Sequence, residues 1–298
     1  DKGMDIFLER MEGKENFSET LGQYQLDPDR EWTCRVMISS RGELIPHTFS
    51  TKVTEADLNE AVRDEYGALY SKDGKRLLKF DNNRDVWFYN IKIRTEIISD
   101  YAFEYCSSLQ QIIIPDSVTS IGKWAFEGCS SLQQIIISDS VASIGDSAFT
   151  GCKSLQQIII PDSVASIGDY AFTDCQSLQQ IIISDSIASI GDYAFTGCKS
   201  LQQIVIPDSV TSIGNHAFSH CQSLLQIVIP DSVTSIGDFA FFGCESLRQI
   251  VIPESVTSIG NCAFEWCASL QQILIPVKCA NKYKEMLDEE LWDKLVEQ

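Results

Sequence analysis

Basic residues are scarce in this chain. Lys and Arg number 23 against 42 Asp and Glu, a formal net charge of -19. Nucleic-acid binding needs a basic footprint, and an anionic membrane surface repels an acidic chain, so neither is an expected partner. From residue 99 to residue 276 there are 17 acidic and 4 basic side chains, or -13, so the acidity belongs mostly to the central region. No apolar run approaches the roughly 20 residues of a transmembrane helix, which argues against direct membrane insertion. The chain begins Asp1-Lys2-Gly3 rather than as a native start, which leaves open whether a leader or longer segment was removed.

Catalytic furniture is missing as well. There is no phosphate loop, nucleotide-binding glycine fingerprint, nucleophile elbow or metalloprotease helix. Of the 3 histidines, His47 has no evident triad partner. His216 and His220 with Cys221 suggest zinc, but both histidines stand where other residue types stand elsewhere in the chain, and loop packing is the plainer reading. Neither an enzyme nor a cofactor is expected. Asn16-Phe17-Ser18 matches a glycosylation acceptor, a pattern too short to weigh much.

What the chain does have is one sentence repeated. Residues 115–137 read PDSVTSIGKWAFEGCSSLQQIII, and an Ala-Phe pair recurs with a 23-residue period from Ala102-Phe103 through Ala125-Phe126 to Ala263-Phe264. A fixed period of this length with a short strand in each copy is the signature of a stacked leucine-rich coil. The strand reads L-x-x-I-x-I, as in Leu109, Ile112 and Ile114. Alternation at period two sends these three inward and Ile113 outward. Pro115-Asp116-Ser117 is turn chemistry, Val118 and Ile121 add inward side chains, and Gly122 is expected at a corner needing positive φ. Lys123-Trp124-Ala125-Phe126 reads as one short helical turn, pinned by burial of Ala125 and Phe126.

No single coil buries these groups alone, so stability is expected to be a sum over neighbouring coils. The Cys and Leu columns have eight copies, from Cys106 to Cys267 and from Leu109 to Leu270. Val86, Tyr89 and Ile91 form a degenerate earlier rung, one period before Leu109, Ile112 and Ile114. Nine rungs at the usual strand spacing give a sheet about 40 Å long. Eight of the 11 cysteines share one column beside the core leucine. They read as inert buried thiols, since parallel Cβ vectors are poor disulfide geometry; Cys34, Cys262 and Cys279 stay unassigned.

The wording I-P-x-x-V-x-x-I-G-x-x-A-F-x-x-C-x-x-L-x-x-I is carried by Ile114-Pro115, Val118, Ile121-Gly122, Ala125-Phe126, Cys129, Leu132 and Ile135. It resembles the BspA-like leucine-rich repeats over roughly residues 86–276. That resemblance implies a bacterial adhesin-type protein, at the cell surface or secreted, whose repeats bind host extracellular matrix or another cell surface. It leaves an intracellular location open.

The expected fold is an α/β repeat, a leucine-rich-repeat solenoid with one parallel sheet, a small α+β N-terminal cap and a C-terminal capping helix. Residues 1–65 form the cap or a separate binding domain: Phe17, Leu21 and Tyr24 have helical spacing, residues 32–38 and 44–53 read as strands around Arg41-Gly42, and Thr54 opens a helix through Ala56, Leu58, Ala61 and Val62. Residues 66–98 hold a hairpin, with Lys72-Asp73-Gly74-Lys75 between Ala68-Leu69-Tyr70 and Leu77-Leu78-Lys79-Phe80, and the degenerate rung. The repeats fill 99–276. Residues 277–298 supply the capping helix, over about 281–296, with a stripe of Tyr283, Leu287, Leu291 and Leu295 beside Met286 and Val296.

The candidate binding surface is the outward face of the sheet. An aliphatic row of Ile113, Ile136, Ile159, Ile182, Val205, Val228, Val251 and Leu274 runs beside Gln111, Gln134, Gln157, Gln180, Gln203, Gln226, Gln249 and Gln272. Large contiguous apolar patches usually mark interaction sites, and the implied partner is a protein or glycan. The competing reading is structural: Ile and Val suit strands either way, stacked glutamines can bond along a ladder, and near-identity of copies records duplication. The repeats would then be a spacer or self-assembly scaffold, with recognition in residues 1–65.

Two acidic columns, Asp116 to Glu254 and Asp146, Asp169, Asp192 and Asp238, could hold calcium or simply satisfy local backbone donors; no metal is expected. Tyr101, Trp124, Tyr170, Tyr193 and Phe239 form a second edge, read as semi-buried packing.

Overall fold

The computed structural model describes residues 50–298, together with two short strands, Met37–Ile38 and Leu44–Ile45. The chain divides into two compact units, Asp1–Phe49 and Ser50–Gln298. In the first, the two strands pair antiparallel, Met37 with Ile45 and Ile38 with Leu44, within the stretches expected to flank Arg41-Gly42. The helical spacing at Phe17, Leu21 and Tyr24, the Asn16 triplet, Cys34 and His47 lie outside the described residues. Residues 50–65 belong to the second unit.

That unit is a parallel solenoid built on the 23-residue period. Its main ladder runs through Phe88–Asn90, Gln111–Ile113, Gln134–Ile136, Gln157–Ile159 and Gln180–Ile182, and resumes through Gln226–Val228, Gln249–Val251 and Gln272–Ile275. Every register shift is zero: Gln111 pairs with Gln134, Ile112 with Ile135 and Ile113 with Ile136. The degenerate rung is real, since Tyr89 pairs with Ile112. Residues 203–205 keep the alternation, with Ile204 and Ile206 buried and Val205 outside, but join neither half of the ladder as a strand.

A second, two-residue ladder follows each corner, as in Ile97–Ile98, Ser120–Ile121 and Ser143–Ile144, and from Ser189–Ile190 to Ser258–Ile259. The isoleucines point inward, and the glycine that follows them from Gly122 to Gly260 does not take the positive φ expected of it. Its role is proximity: a Cβ on Gly145 would lie 2.5 Å from the backbone nitrogen of Lys123, and one on Gly122 2.5 Å from that of Asp100. Coils approach so closely here that only hydrogen fits.

The Lys123-Trp124-Ala125-Phe126 segment is not a helical turn. Trp124 has φ +53°, and positive φ recurs at the matching residue of every copy, from Tyr101 to Cys262. A second left-handed residue follows four positions on, Gly128, Gly151, Gly197 or Gly243 in half the copies and Tyr105, Asp174, His220 or Trp266 in the others. Alternate amides therefore turn along the solenoid axis. The N–H groups of Trp124, Phe126 and Gly128 donate to the carbonyls of Asp146, Ala148 and Thr150 in the next coil at 2.8–3.0 Å. A helical turn would direct those donors back into its own coil, leaving the interface without them.

This third ladder frames the core. Phe103, Phe126, Phe149, Phe172, Phe195, Phe218, Phe241 and Phe264 stack ring on ring at 5.1–5.6 Å, and Phe80, one period before Phe103, opens the column.

Both ends are closed. At the N-terminal side, Thr54 and Asp57 form a capping box on a helix at Glu55–Asn59, which stops short of the expected Val62 because Val62–Arg63 becomes a strand. Leu69–Tyr70 and Arg76–Lys79 form the expected hairpin, with Gly74 at φ +73°, and Arg76–Lys79 extends the second ladder by pairing parallel with Ile97–Ile98. At the C-terminal side the stripe does cover the last coil, with Tyr283, Leu287 and Leu291 buried. It is not one helix. Ala280–Lys284 is a single α-turn, Glu289–Lys294 a 3-10 turn, and Leu295–Glu297 a strand pairing parallel with the last rung. A continuous helix would bury the stripe but leave the edge amides and carbonyls of Ile273–Ile275 without partners; the strand meets both needs.

Candidate functional site

The alternation that drives Ile112 and Ile114 into the core leaves one row of apolar side chains in solvent. Ile113, Ile136, Ile159, Ile182, Val205 and Val228 are exposed, reaching 71% at Ile136 and 79% at Val205, and Val251 and Leu274 are half-buried. Beside them Gln111, Gln134, Gln157, Gln180, Gln203, Gln226 and Gln272 are exposed and Gln249 half-buried. Zero register aligns like with like along the ladder, for instance Gln157 with Gln180 and Ile159 with Ile182. Neither row contains a charge. All ten residues singled out, from Gln134 to Val228, thus lie on one face.

Two features of this face were not foreseen. Trp87, exposed at 62%, stands on the degenerate rung beside Phe88, where later copies have glutamine except at Leu225 and Arg248. Its position one period before Gln110 was the available signal. Towards the C-terminal end, Val228, Val251 and Leu274 of the aliphatic row meet Pro230, Pro253 and Pro276 across a groove of about 360 Å³, rimmed by Asp208 and Asp231.

The remaining candidates resolve into packing. The Asp column serves the backbone: Asp169 Oδ1 accepts the Asp192 N–H, Asp192 Oδ1 accepts that of Asn215, Asn215 Oδ1 accepts that of Asp238, and Asp238 Oδ1 accepts that of Asn261, at 2.7–2.9 Å. Among the described residues no group of three or more His, Cys, Asp or Glu has the geometry to hold a metal ion. All ten described cysteines are free. In the column each thiol from Cys129 onward donates to the carbonyl of the phenylalanine 26 residues earlier, at 3.1–3.3 Å. Burial pushes Cys106, Cys221 and Cys267 up to about 12 and the other column thiols upward as well. His216 is stacked between Tyr193 and Phe239, its pKa lowered by burial, and His220 meets Phe242 edge to face.

Fold and face together define a leucine-rich-repeat solenoid with an uncharged sheet surface. The chain belongs to the BspA-type leucine-rich repeat family: the BspA type leucine rich repeat region matches residues 96–225 and 211–289, in six copies. A leucine-rich repeat protein from Bacteroides ovatus is 30% identical over 72% of this chain and 62% of its own, with a TM-score of 0.57. One from Eubacterium ventriosum shares the fold at 24% identity over 70% of this chain and 50% of its own, with a TM-score of 0.51. A third, described as a leucine rich cell surface protein of Faecalibacterium prausnitzii, is 23% identical over 75% of this chain and 96% of its own, with a TM-score of 0.36. This chain spans 62% and 50% of the lengths of the first two proteins. No curated protein matches it. Such repeat solenoids are generally non-catalytic scaffolds for protein interaction or adhesion. No described helix is long and apolar enough to cross a membrane.

Proposed function

We propose that this is a non-catalytic recognition and adhesion protein, at the cell surface or secreted, that holds protein or glycan partners on its outward sheet face. The observation that carries the reading is the unbroken row of exposed Ile and Val side chains from Ile113 to Val228, flanked by glutamines and free of charge. A monomer seldom leaves so long an apolar strip uncovered. The face is preorganised by ladders and core stacking, so little ordering entropy opposes binding. Partner affinity then comes from apolar area removed from water, with glutamine amides offering donors and acceptors at a regular interval.

The test is a pull-down from host matrix and cell-surface extracts with the wild type and a folded Ile159→Lys, Ile182→Lys variant. A partner captured by the first and lost by the second supports the reading. Equal capture by both places recognition away from this face and leaves the repeats as spacer or scaffold.

A further inference from the structure

On a different face of the solenoid, the residue before each Ala-Phe pair builds an outer column of rings. Tyr101 stacks on Trp124 at 4.9 Å and 6°. Tyr170, Tyr193, His216 and Phe239 stack successively at 4.5, 4.5 and 4.7 Å, within 9° of parallel. Between the two runs the position belongs to Ser147, so one ring is missing. The flanking rings of Trp124 and Tyr170 are thus separated by two stacking intervals, where one interval along the column measures 4.5–4.9 Å.

Three observations describe the gap. Tyr170, which ends its run here, is 42% exposed, whereas Tyr193 within the same run is half-buried, as is Trp124 on the other side of the gap. Ser147 forms the floor and is 7% exposed. The rim is acidic. Asp146 pairs with Lys123, while Asp169 accepts the Asp192 N–H through Oδ1 and has no described basic side chain within ion-pairing distance.

We propose that this gap is a slot for a guanidinium, the arginine side chain of a partner protein or peptide. A flat group centred between the rings lies one stacking interval from each, inside the roughly 6 Å reach of cation–π attraction. Guanidinium is planar and weakly hydrated, so it stacks where an ammonium stays hydrated. An aromatic ring would fit the width but would gain nothing from Asp169. Lys123 is engaged by Asp146, which leaves the Asp169 side as the preferred approach for a cation. The proposal does not rest on the sheet-face reading.

The probe is acetyl-Gly-Arg-Gly-amide, titrated into the isotope-labelled full chain while the Trp124 indole N–H, assigned by Trp124→Phe, is followed by NMR. A saturable shift is expected at millimolar peptide, with the Lys and Phe counterparts binding roughly fivefold more weakly. Ser147→Tyr completes the column and abolishes the shift. Asp169→Asn keeps the acceptor for the Asp192 N–H, so it folds, and weakens binding severalfold even if Ser147→Tyr fails to fold. No saturable shift, equal response to the three peptides, or an undiminished response in Asp169→Asn would overturn the assignment.

Discussion

Phe172 and Phe195, at the same position in successive coils, stack with centroids 5.6 Å apart and planes 3° from parallel, both fully buried. Each ring fills the floor of one coil and the ceiling of the next, so its loss opens two interfaces together. Phe172→Ala is expected to cost about 3–5 kcal/mol, read as a lowered urea midpoint. A loss below about 1 kcal/mol would mean the column collapses to heal the cavity.

Neighbouring residues on one strand are expected to behave oppositely. Ile159→Lys places its charge in solvent and should change stability by less than about 0.5 kcal/mol. Ile158→Lys buries an unpaired ammonium and should leave little folded protein. Circular dichroism melts of the two variants check the pair, and a similar loss in both would show that the strand is inside out.

The glycine column should tolerate no side chain. Gly145→Ala drives a methyl to 2.5 Å from the Lys123 nitrogen, where the obstacle is backbone and cannot rotate away. Gly151→Ala meets no atom closer than 3.6 Å but must hold φ +72°. Its cost should be about 1–2 kcal/mol, and Gly145→Ala should exceed it, as compared by denaturant titration.

Stability should fall in alkali. Unfolded thiols ionise at about 8.5, whereas burial holds Cys106, Cys221 and Cys267 up to about 12. Above pH 9 the unfolded chain therefore binds fewer protons than the folded one, and stability declines as pH rises, by up to about 1.4 kcal/mol per pH unit for each such thiol. Below about pH 7.5 these groups contribute little slope. Urea midpoints measured from pH 7 to 10.5 should be flat and then drop steeply; a flat profile throughout would show the thiols in contact with water.

The same burial should silence the thiols chemically. At pH 8 the native chain should give a thiol reagent none of the eight column cysteines, and all of them after denaturation. Rapid native labelling at Cys152 or Cys175, both fully buried, would contradict the ladder.

Much of this was legible in the residues because a repeat states each constraint many times. The two-residue alternation at Gln111-Ile112-Ile113-Ile114 fixes what is inside, and the regular recurrence of Phe103 fixes how coils stack. It also placed all ten sheet-face candidates together, since zero register follows from equal coil length. The return segment was harder to read. Trp124-Ala125-Phe126 has nothing against a helical turn locally; only the demand of the next coil for Trp124 and Phe126 donors forces the left-handed residues. Gly122 likewise looks like a corner residue until the backbone of Asp100 arrives beside it.

Counting and local alternation were enough to set the period, the inward and outward faces, the inert cysteine column and the family, because none of these depends on what a distant segment does. Packing of coil on coil supplied the rest: the amides of each coil bond to the next, the last rung needs a strand rather than a helix, and a missing ring at Ser147 becomes a space only once Trp124 and Tyr170 stand on either side of it.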